Sequence, residues 1–310
     1  MNTTRITFIG AGAIGLPMAL RVASAGDLTV VDTSEDRLAE ARARGLRTAS
    51  SLAAAHAPDL VLVMVATAGQ AAAVLQGSEG LFARGNENST VVVLSTLGPA
   101  AMQELAAQRP SNGPKLLDVP VTGGVPGAVA GTLTLFAGGD AAEIERIRPV
   151  LQTMGKVVAA GPNIGDGQAF KMVNQLLATS QLVVAAEALG FADRLGLDTH
   201  QVFEAVRGGA GGSWMLDHYG PRILDQNPES ISARVDIFLK DCVLVNETAA
   251  NIGFESEMST AARTVLEFAV ELGLGAQDAS TVVEAYQRDL GVRPTLESGV
   301  ADIPVSSVRS

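Results

Sequence analysis

Cysteine is almost missing from this chain. Of 310 residues only Cys242 is one, so no internal disulfide can form. Aromatic residues make up 4%, which argues against recognition by stacking on aromatic platforms. Basic residues are the minority, 22 Lys and Arg against 33 Asp and Glu. The resulting formal charge of -11 excludes a nucleic-acid binder that depends on a basic face. The three histidines, His56, His200 and His218, lie far apart without HxxxH or HxH spacing, so a metal site has little support. No uninterrupted apolar run nears the ~18 to 20 residues of a membrane span; the candidates are short runs such as 60–66 and 91–94. Residues 1–9 enter a strand-like pattern directly, without the charged region, long apolar segment and small-residue cleavage site of a leader. A cytoplasmic location is expected, with neither nucleic acid nor membrane as partner.

What is present favours a large core. Hydrophobic residues are 47% of the chain, and a chain of this size buries roughly three quarters of its unfolded surface. That excludes a disordered chain, and the length suggests two domains. In the first half, β-branched runs at 5–9, 28–31, 60–65, 91–95, 116–119, 133–137 and 157–160 alternate with helix-like segments at 14–25, 34–44 and 99–107. Apolar strands spaced by helices imply parallel strands covered on both faces, the doubly wound α/β pattern. From about Asp166 the strand signal stops and helical periodicities follow at 166–195, 199–206, 236–251, 259–272 and 280–288. The expected architecture is an α/β domain with a mainly parallel sheet over 1–163 and an all-helical domain over 164–291. A long interdomain helix joins them, and 292–310 reads as a poorly ordered tail.

The first chemical signal is Gly10-Ala11-Gly12-Ala13-Ile14-Gly15, which follows the opening strand and begins a helix. Gly10 permits the tight turn, Gly12 lets backbone approach a pyrophosphate, and Gly15 lets helix and strand pack closely. Phosphates would sit on amides of the turn, those of Ala13 and Ile14 included, at the positive end of the helix. Any tight strand-to-helix turn favours glycine, so the hexapeptide needs its context. Asp32 supplies it, about 20 residues on at the end of the second strand, where a carboxylate accepts hydrogen bonds from the adenine ribose hydroxyls. Together these form the dinucleotide fingerprint of an N-terminal Rossmann domain. The carboxylate of Asp32 also repels a 2'-phosphate, favouring NAD over NADP. Arg37 is within sequence reach of a 2'-phosphate but, beside Glu35 and Asp36 at a helix start, reads as a solvated charge.

The second signal is Asp118-Val119-Pro120-Val121-Thr122-Gly123-Gly124 after a strand. Two glycines expose consecutive amides and the hydroxyl adds a donor, a small anion site suited to a carboxylate; a glycine-rich turn alone is also simply a turn. The third, Gly165-Asp166-Gly167-Gln168-Ala169-Phe170-Lys171-Met172-Val173-Asn174-Gln175, heads the long helix. Its spacing puts Lys171, Asn174 and Gln175 on one face. From spacing alone a helical lysine is solvated, but Phe170, Val173, Leu176 and Leu177 flank this stripe with apolar residues, as in a cleft. The fourth, Phe238-Leu239-Lys240-Asp241, sets another lysine in an apolar helix, next to Cys242, which reads as a small buried residue.

At these four places, in order and from Ile6 to about Tyr286, the sequence resembles the β-hydroxyacid (3-hydroxyisobutyrate) dehydrogenase family. The resemblance implies that Lys171 is the catalytic lysine and Asn174 orients substrate. Thr122, Gly123 and Gly124 would hold the substrate carboxylate, Lys240 would lie near the nicotinamide, and Thr96 would lie by its ribose. Departures are Thr122 where the family has serine, Gln175 where it often has asparagine, and Ala66 where a proline is common. The last leaves Val65 only a backbone role. Gly212-Ser213-Trp214-Met215 and the segment 235–241 look like the branch acting on four-carbon sugar acids such as L-threonate; Ser213, Gln175 and Asp241 are candidate partners for extra hydroxyls. Trp214 reads equally as a helix-packing anchor.

The implied reaction moves a hydride from the hydroxyl-bearing carbon to the nicotinamide while a proton leaves the hydroxyl for Lys171. A free lysine titrates near 10.4, too high for a base near neutrality; burial and the charge of Lys240 would both lower it. The expected partner is a small carboxylate substrate. Two other readings stay open. One is a reductase of small aldehyde acids, such as glyoxylate or succinic semialdehyde, using NADPH. The other is a non-catalytic dinucleotide sensor, which would have no use for Lys171 beside Asn174. Apolar helix faces such as 176–189 suit a homodimer or homotetramer as well as an internal core.

Overall fold

A computed structural model of the chain describes residues 4–54, 58–77, 80–83, 88–225 and 231–287. His56 and the tail over 292–310 lie outside them. The described residues divide into two compact units, one running to Leu177 and including Leu244–Glu255, the other comprising Ala178–Val243 and the residues from Ser256 on.

The first unit is the α/β half. Its strands are β1 (Arg5–Ile9), β2 (Asp27–Val31), β3 (Arg47–Ala49), β4 (Leu60–Val63), β5 (Thr90–Val93), β6 (Lys115–Asp118), β7 (Val121–Thr122), β8 (Leu133–Gly138) and β9 (Gly155–Gly161). They form one sheet in the order β3-β2-β1-β4-β5-β6-β8-β7, with β9 paired to β8. Pairing is parallel from β3 through β6 and between β8 and β9. It is antiparallel where β8 meets β6 and β7. The sheet is thus mainly parallel, as the alternation of strands and helices implies. The reversal at β7 and β8 arises because the intervening segment is short and parallel neighbours need a crossover of about a dozen residues or more.

The accompanying helices are α1 (Gly15–Val22), α2 (Glu35–Ala43), α3 (Ala68–Gln76), α4 (Pro99–Ala107), α5 (Gly124–Ala130) and α6 (Ala141–Leu151). Strand residues alternate between two cores, as a period of two requires. Leu60 and Leu62 join Ile6, Phe8 and Met18 on one face; Val61 and Val63 join Ile9, Val91 and Val93 on the other. All four side chains of β4 are at most 1% exposed, so the sheet is sealed on both faces there. The order β3-β2-β1-β4-β5-β6 reverses direction between β1 and β4, and ligands in such sheets bind outside the strand ends at that switch point.

The second half is helical. α7 (Asp166–Arg194) starts in the first unit and ends in the second. It is followed by α8 (Thr199–Val206), α9 (Trp214–Asp225), α10 (Val235–Asn251), α11 (Glu257–Glu271) and α12 (Glu284–Gln287). The core of the second unit gathers Leu182, Ala186, Phe203, Tyr219, Phe238 and Leu266. By length and composition α7 would pass for a membrane span, yet half of its most apolar stretch is buried within the fold. Of the expected helices, 280–288 is instead a 3-10 turn over Ala279–Val283 running into the single turn of α12.

Candidate active site

The dinucleotide turn is shaped by backbone crowding. Gly10 has φ +97°, and a Cβ there would lie 2.0 Å from the Met64 carbonyl oxygen, just past β4. A Cβ on Gly15 would lie 2.0 Å from the carbonyl oxygen of Gly10. Around Gly12 the space is open, with nothing within 4 Å of where a Cβ would lie. A larger group can therefore approach the backbone at Gly12. The N-terminus of α1 has no side-chain cap and no acidic residue in its first turn, which leaves its amides and positive dipole end for an anion. Ala13 is exposed and Ile14 half-buried at that end.

Asp32 is held firmly beside this turn. Its Oδ2 accepts from the Ala11 amide at 2.7 Å and its Oδ1 from the Ser34 amide at 2.8 Å. An ionised carboxylate accepts about four hydrogen bonds, so both oxygens retain capacity for ribose hydroxyls. Arg37, read from sequence as a solvated charge, is half-exposed but lies 3.6 Å from Asp32 Oδ2. The glycine turn, bare helix end and fixed carboxylate fit a dinucleotide.

The next strand ends carry the loops expected at the nicotinamide. The Val65 amide donates to Ser95 Oγ at 2.8 Å, joining the loop after β4 to the loop that holds Thr96. Beyond β6, Thr122 pairs with Thr134 in the antiparallel ladder. Gly123 and Gly124 follow at φ +126° and +62°, a conformation that L side chains resist. These three residues are partly exposed, as donors for an incoming carboxylate must be.

The head of α7 reverses the usual polarity of a helix. Gln168, Lys171, Gln175 and Thr179 are at most 6% exposed, whereas Phe170, Val173 and Leu177 are at least 44% exposed. Polar groups are buried at a cost unless partnered, so this stripe is a built feature. Within it Asn174 Nδ2 donates to Gln175 Oε1 at 2.8 Å, making the two amides a pair. The sequence-based stripe is brought together, while the apolar residues expected to line a cleft around it turn outward at 170, 173 and 177.

Two residues in these motifs had no role from sequence and have one in the fold. Asp118 is fully buried, and its Oδ1 and Oδ2 accept from the amides of Gly165 at 3.0 Å and Gln168 at 2.8 Å. Burial pushes its carboxyl up to about 6, against the lowering effect of those amides. A Cβ on Gly167 would lie 2.4 Å from the Phe136 carbonyl oxygen and 2.5 Å from that of Asp118, so glycine lets the helix head sit on the strand ends. The ring of Phe136 in turn lies 6.0 Å from that of Phe170. Gln168 is fully buried and bonded to the 95–98 loop. A charged residue ending the apolar run Leu116-Leu117, and a glutamine between glycine and lysine one turn before Lys171, were the available signals.

The other expected residues lie in the second unit. Lys240 Nζ is 2.8 Å from Asp241 Oδ1, so these neighbours form an ion pair. Ser213 Oγ accepts from the Leu216 amide at 3.0 Å as a helix cap, and Trp214 stacks on His218 with its ring half-exposed. Cys242 is buried, and burial pushes its thiol up.

Comparison with known proteins covers both halves. Residues 5–163 match the NAD binding domain of 6-phosphogluconate dehydrogenase, and residues 165–286 the NAD-binding family of NADP-dependent 3-hydroxyisobutyrate dehydrogenase. The chain is 32% identical to L-threonate dehydrogenase of Haemophilus influenzae, covering 91% of this chain and 94% of that one. It is 30% identical to 2-hydroxy-3-oxopropionate reductase of Escherichia coli, covering 91% and 97%. A crystal structure of 3-hydroxyisobutyrate dehydrogenase from Salmonella typhimurium superposes with a TM-score of 0.81 at 29% identity, covering 91% and 99%.

Proposed function

Since the chain belongs to the β-hydroxyacid dehydrogenase family and is an NAD(P)-dependent oxidoreductase of small hydroxy acids, we propose that it oxidises a four-carbon sugar acid of the L-threonate type, with NAD as acceptor and Lys171 as general acid/base. The observation that carries the reading is the buried polar stripe on α7, with Lys171 6% exposed. An amine held inside the fold in a row of polar groups can exchange a proton with a bound hydroxyl rather than with bulk water. When bound, the nicotinamide cofactor supplies the hydride acceptor. Lys171 takes the hydroxyl proton in oxidation and returns it in reduction. Thr122 and the amides of Gly123 and Gly124 hold the substrate carboxylate, and Asn174 paired with Gln175 orients the hydroxyl.

NAD is the preferred cofactor because Asp32 is tied to two amides and cannot swing away from a 2'-phosphate. A second reading, an NADPH-dependent reductase of small aldehyde acids, draws on one observation, the guanidinium of Arg37 3.6 Å from that carboxylate. The ratio of kcat/KM for NAD and NADP, measured in both directions on L-threonate, 3-hydroxyisobutyrate and 2-hydroxy-3-oxopropionate, decides between them. Lys171→Met should lose turnover while keeping cofactor affinity within a few-fold; a variant at the wild-type rate would remove Lys171 from the chemistry. Val184 and Phe191 are exposed on α7 with Leu195 just beyond, and this apolar row suits a second copy of the chain. Light scattering of the purified protein tests for the homodimer or homotetramer.

A further inference from the structure

We propose that Gln168 is a positioning residue that locks Lys171 and the 95–98 loop into one assembly; the inference rests on the reading of Lys171 as the base. The carboxamide of Gln168 uses both ends. Its Oε1 accepts from the amides of Leu97 at 3.0 Å and Gly98 at 3.1 Å, and its Nε2 donates to the Ser95 carbonyl at 3.0 Å. Its own amide donates to Asp118 Oδ2 at 2.8 Å. The side chain is fully buried, so none of these bonds is weakened by exchange with water. Ser95 Oγ carries the connection on to the Val65 amide. One glutamine thus fastens the helix head to consecutive strand-end loops of the α/β unit, including the loop that holds Thr96.

Lys171 is one turn further along α7, and residues three apart share a helix face. A shift of the helix head therefore moves its amine relative to the 95–98 loop. The bonding pattern is also selective. Two N–H groups face one oxygen and a carbonyl oxygen faces the other end, so the site needs an acceptor and a donor on one planar group. A carboxamide meets that demand. A carboxylate fails at Ser95, and a protonated carboxylic acid meets it again. Methionine fills the space but meets none of it.

The test compares Gln168→Met and Gln168→Glu with the full-length wild type on L-threonate and NAD, from pH 6 to 8. Circular dichroism verifies folding. Loss of about 1 Å of positioning costs roughly 100-fold, so Gln168→Met should lose about that factor in kcat at every pH, with KM changed only a few-fold. Gln168→Glu should match it at pH 8 and recover tenfold or more, relative to wild type, towards pH 6, because burial against the Ser95 carbonyl raises the new acid above the usual range. Gln168→Met adds no charge beside Asp118, so its ratio to wild type should stay flat from pH 6 to 8 and serves as the baseline for Gln168→Glu. Wild-type kcat in Gln168→Met, or no recovery in Gln168→Glu, would overturn the proposal; should Gln168→Met not fold, the second variant decides alone. Lys171→Met in parallel separates the two readings. If it is inactive while the Gln168 variants are normal, only the positioning role fails. If it is fully active, the assignment of the base fails.

Discussion

Asp118 makes the stability of the α/β unit depend on pH in an unusual direction. A fully buried carboxyl pushed up to about 6, from 3.8 in water, binds its proton more tightly folded than unfolded. Its contribution is complete below the unfolded value and is lost as pH rises through about 6. The difference corresponds to about 3 kcal/mol in all, of which about 1 kcal/mol falls between pH 7 and pH 5. Glu143 does not mask this. Burial opposes its ionisation, but bonds from Arg146, Lys115 and Thr90 outweigh that and hold it at about 2, so its stabilisation persists well below pH 5. The tryptophan, Trp214, lies in the helical unit, so fluorescence would miss the effect. Amide hydrogen exchange of the β5 and β6 peptides, corrected for the intrinsic rate, would see it. Protection in the wild type should rise roughly ninefold from pH 7 to pH 5. In Asp118→Asn protection should be lower at both pH values, because an amide nitrogen then faces a backbone N–H, and the rise should vanish. An equal rise in the variant, or none in the wild type, refutes the assignment.

Two further outcomes test other parts of the fold. Gly15→Ala places a methyl group 2.0 Å from the Gly10 carbonyl, so α1 must move from β1; melting temperature and NADH affinity by fluorescence titration should both fall, and an unchanged affinity would show that the turn is not used. Arg222 pairs with Asp278 at 2.9 Å, with the carboxylate 2% exposed, so Arg222→Met should cost the helical unit about 3 to 5 kcal/mol at neutral pH. Burial opposes ionisation of Asp278, yet bonds from Arg222 and Ser280 hold it below the usual range. The loss should therefore shrink as acid protonates the stranded carboxylate, measured by Trp214 fluorescence in urea.

Sequence made the sheet legible wherever a strand was both apolar and long. β4 and β5, buried on both faces, read as continuous Leu/Val runs. β3 and β7 escaped because two or three residues hold no periodicity. Helices escaped when their composition imitated something else. α5 is GVPGAVA, which reads as a turn, and α3 is nearly all small or apolar, so no polar face marks it. α6 and α9 each contain a proline. The Asp140 side chain nonetheless accepts from the Glu143 amide at 2.7 Å, an acidic N-cap that the sequence displays.

The candidate site was legible for a different reason. Glycine is informative where a Cβ cannot fit, and at Gly10 and Gly15 the obstacle is backbone, which no rotamer relieves. Charge and amide groups are less transparent, because their meaning depends on what they are buried against. Spacing alone gave Lys171 a place on a helix face without telling water from protein. The discriminating pattern was already in the composition of that face. Gln168, Lys171, Gln175 and Thr179 form a polar row, and the alternative row holds Phe170, Val173 and Leu177. A helix on a folded unit buries one of its rows, and by hydrophobicity it should have been the second. Burial of the first requires that its polar atoms be met by partners, as those of Gln168 are. The same demand ties Asp118 to two amides at the head of α7. The energetic anomaly and the proposed chemistry thus occupy the same turns of one helix, which is why loosening Gln168 should show in kcat before it shows in KM.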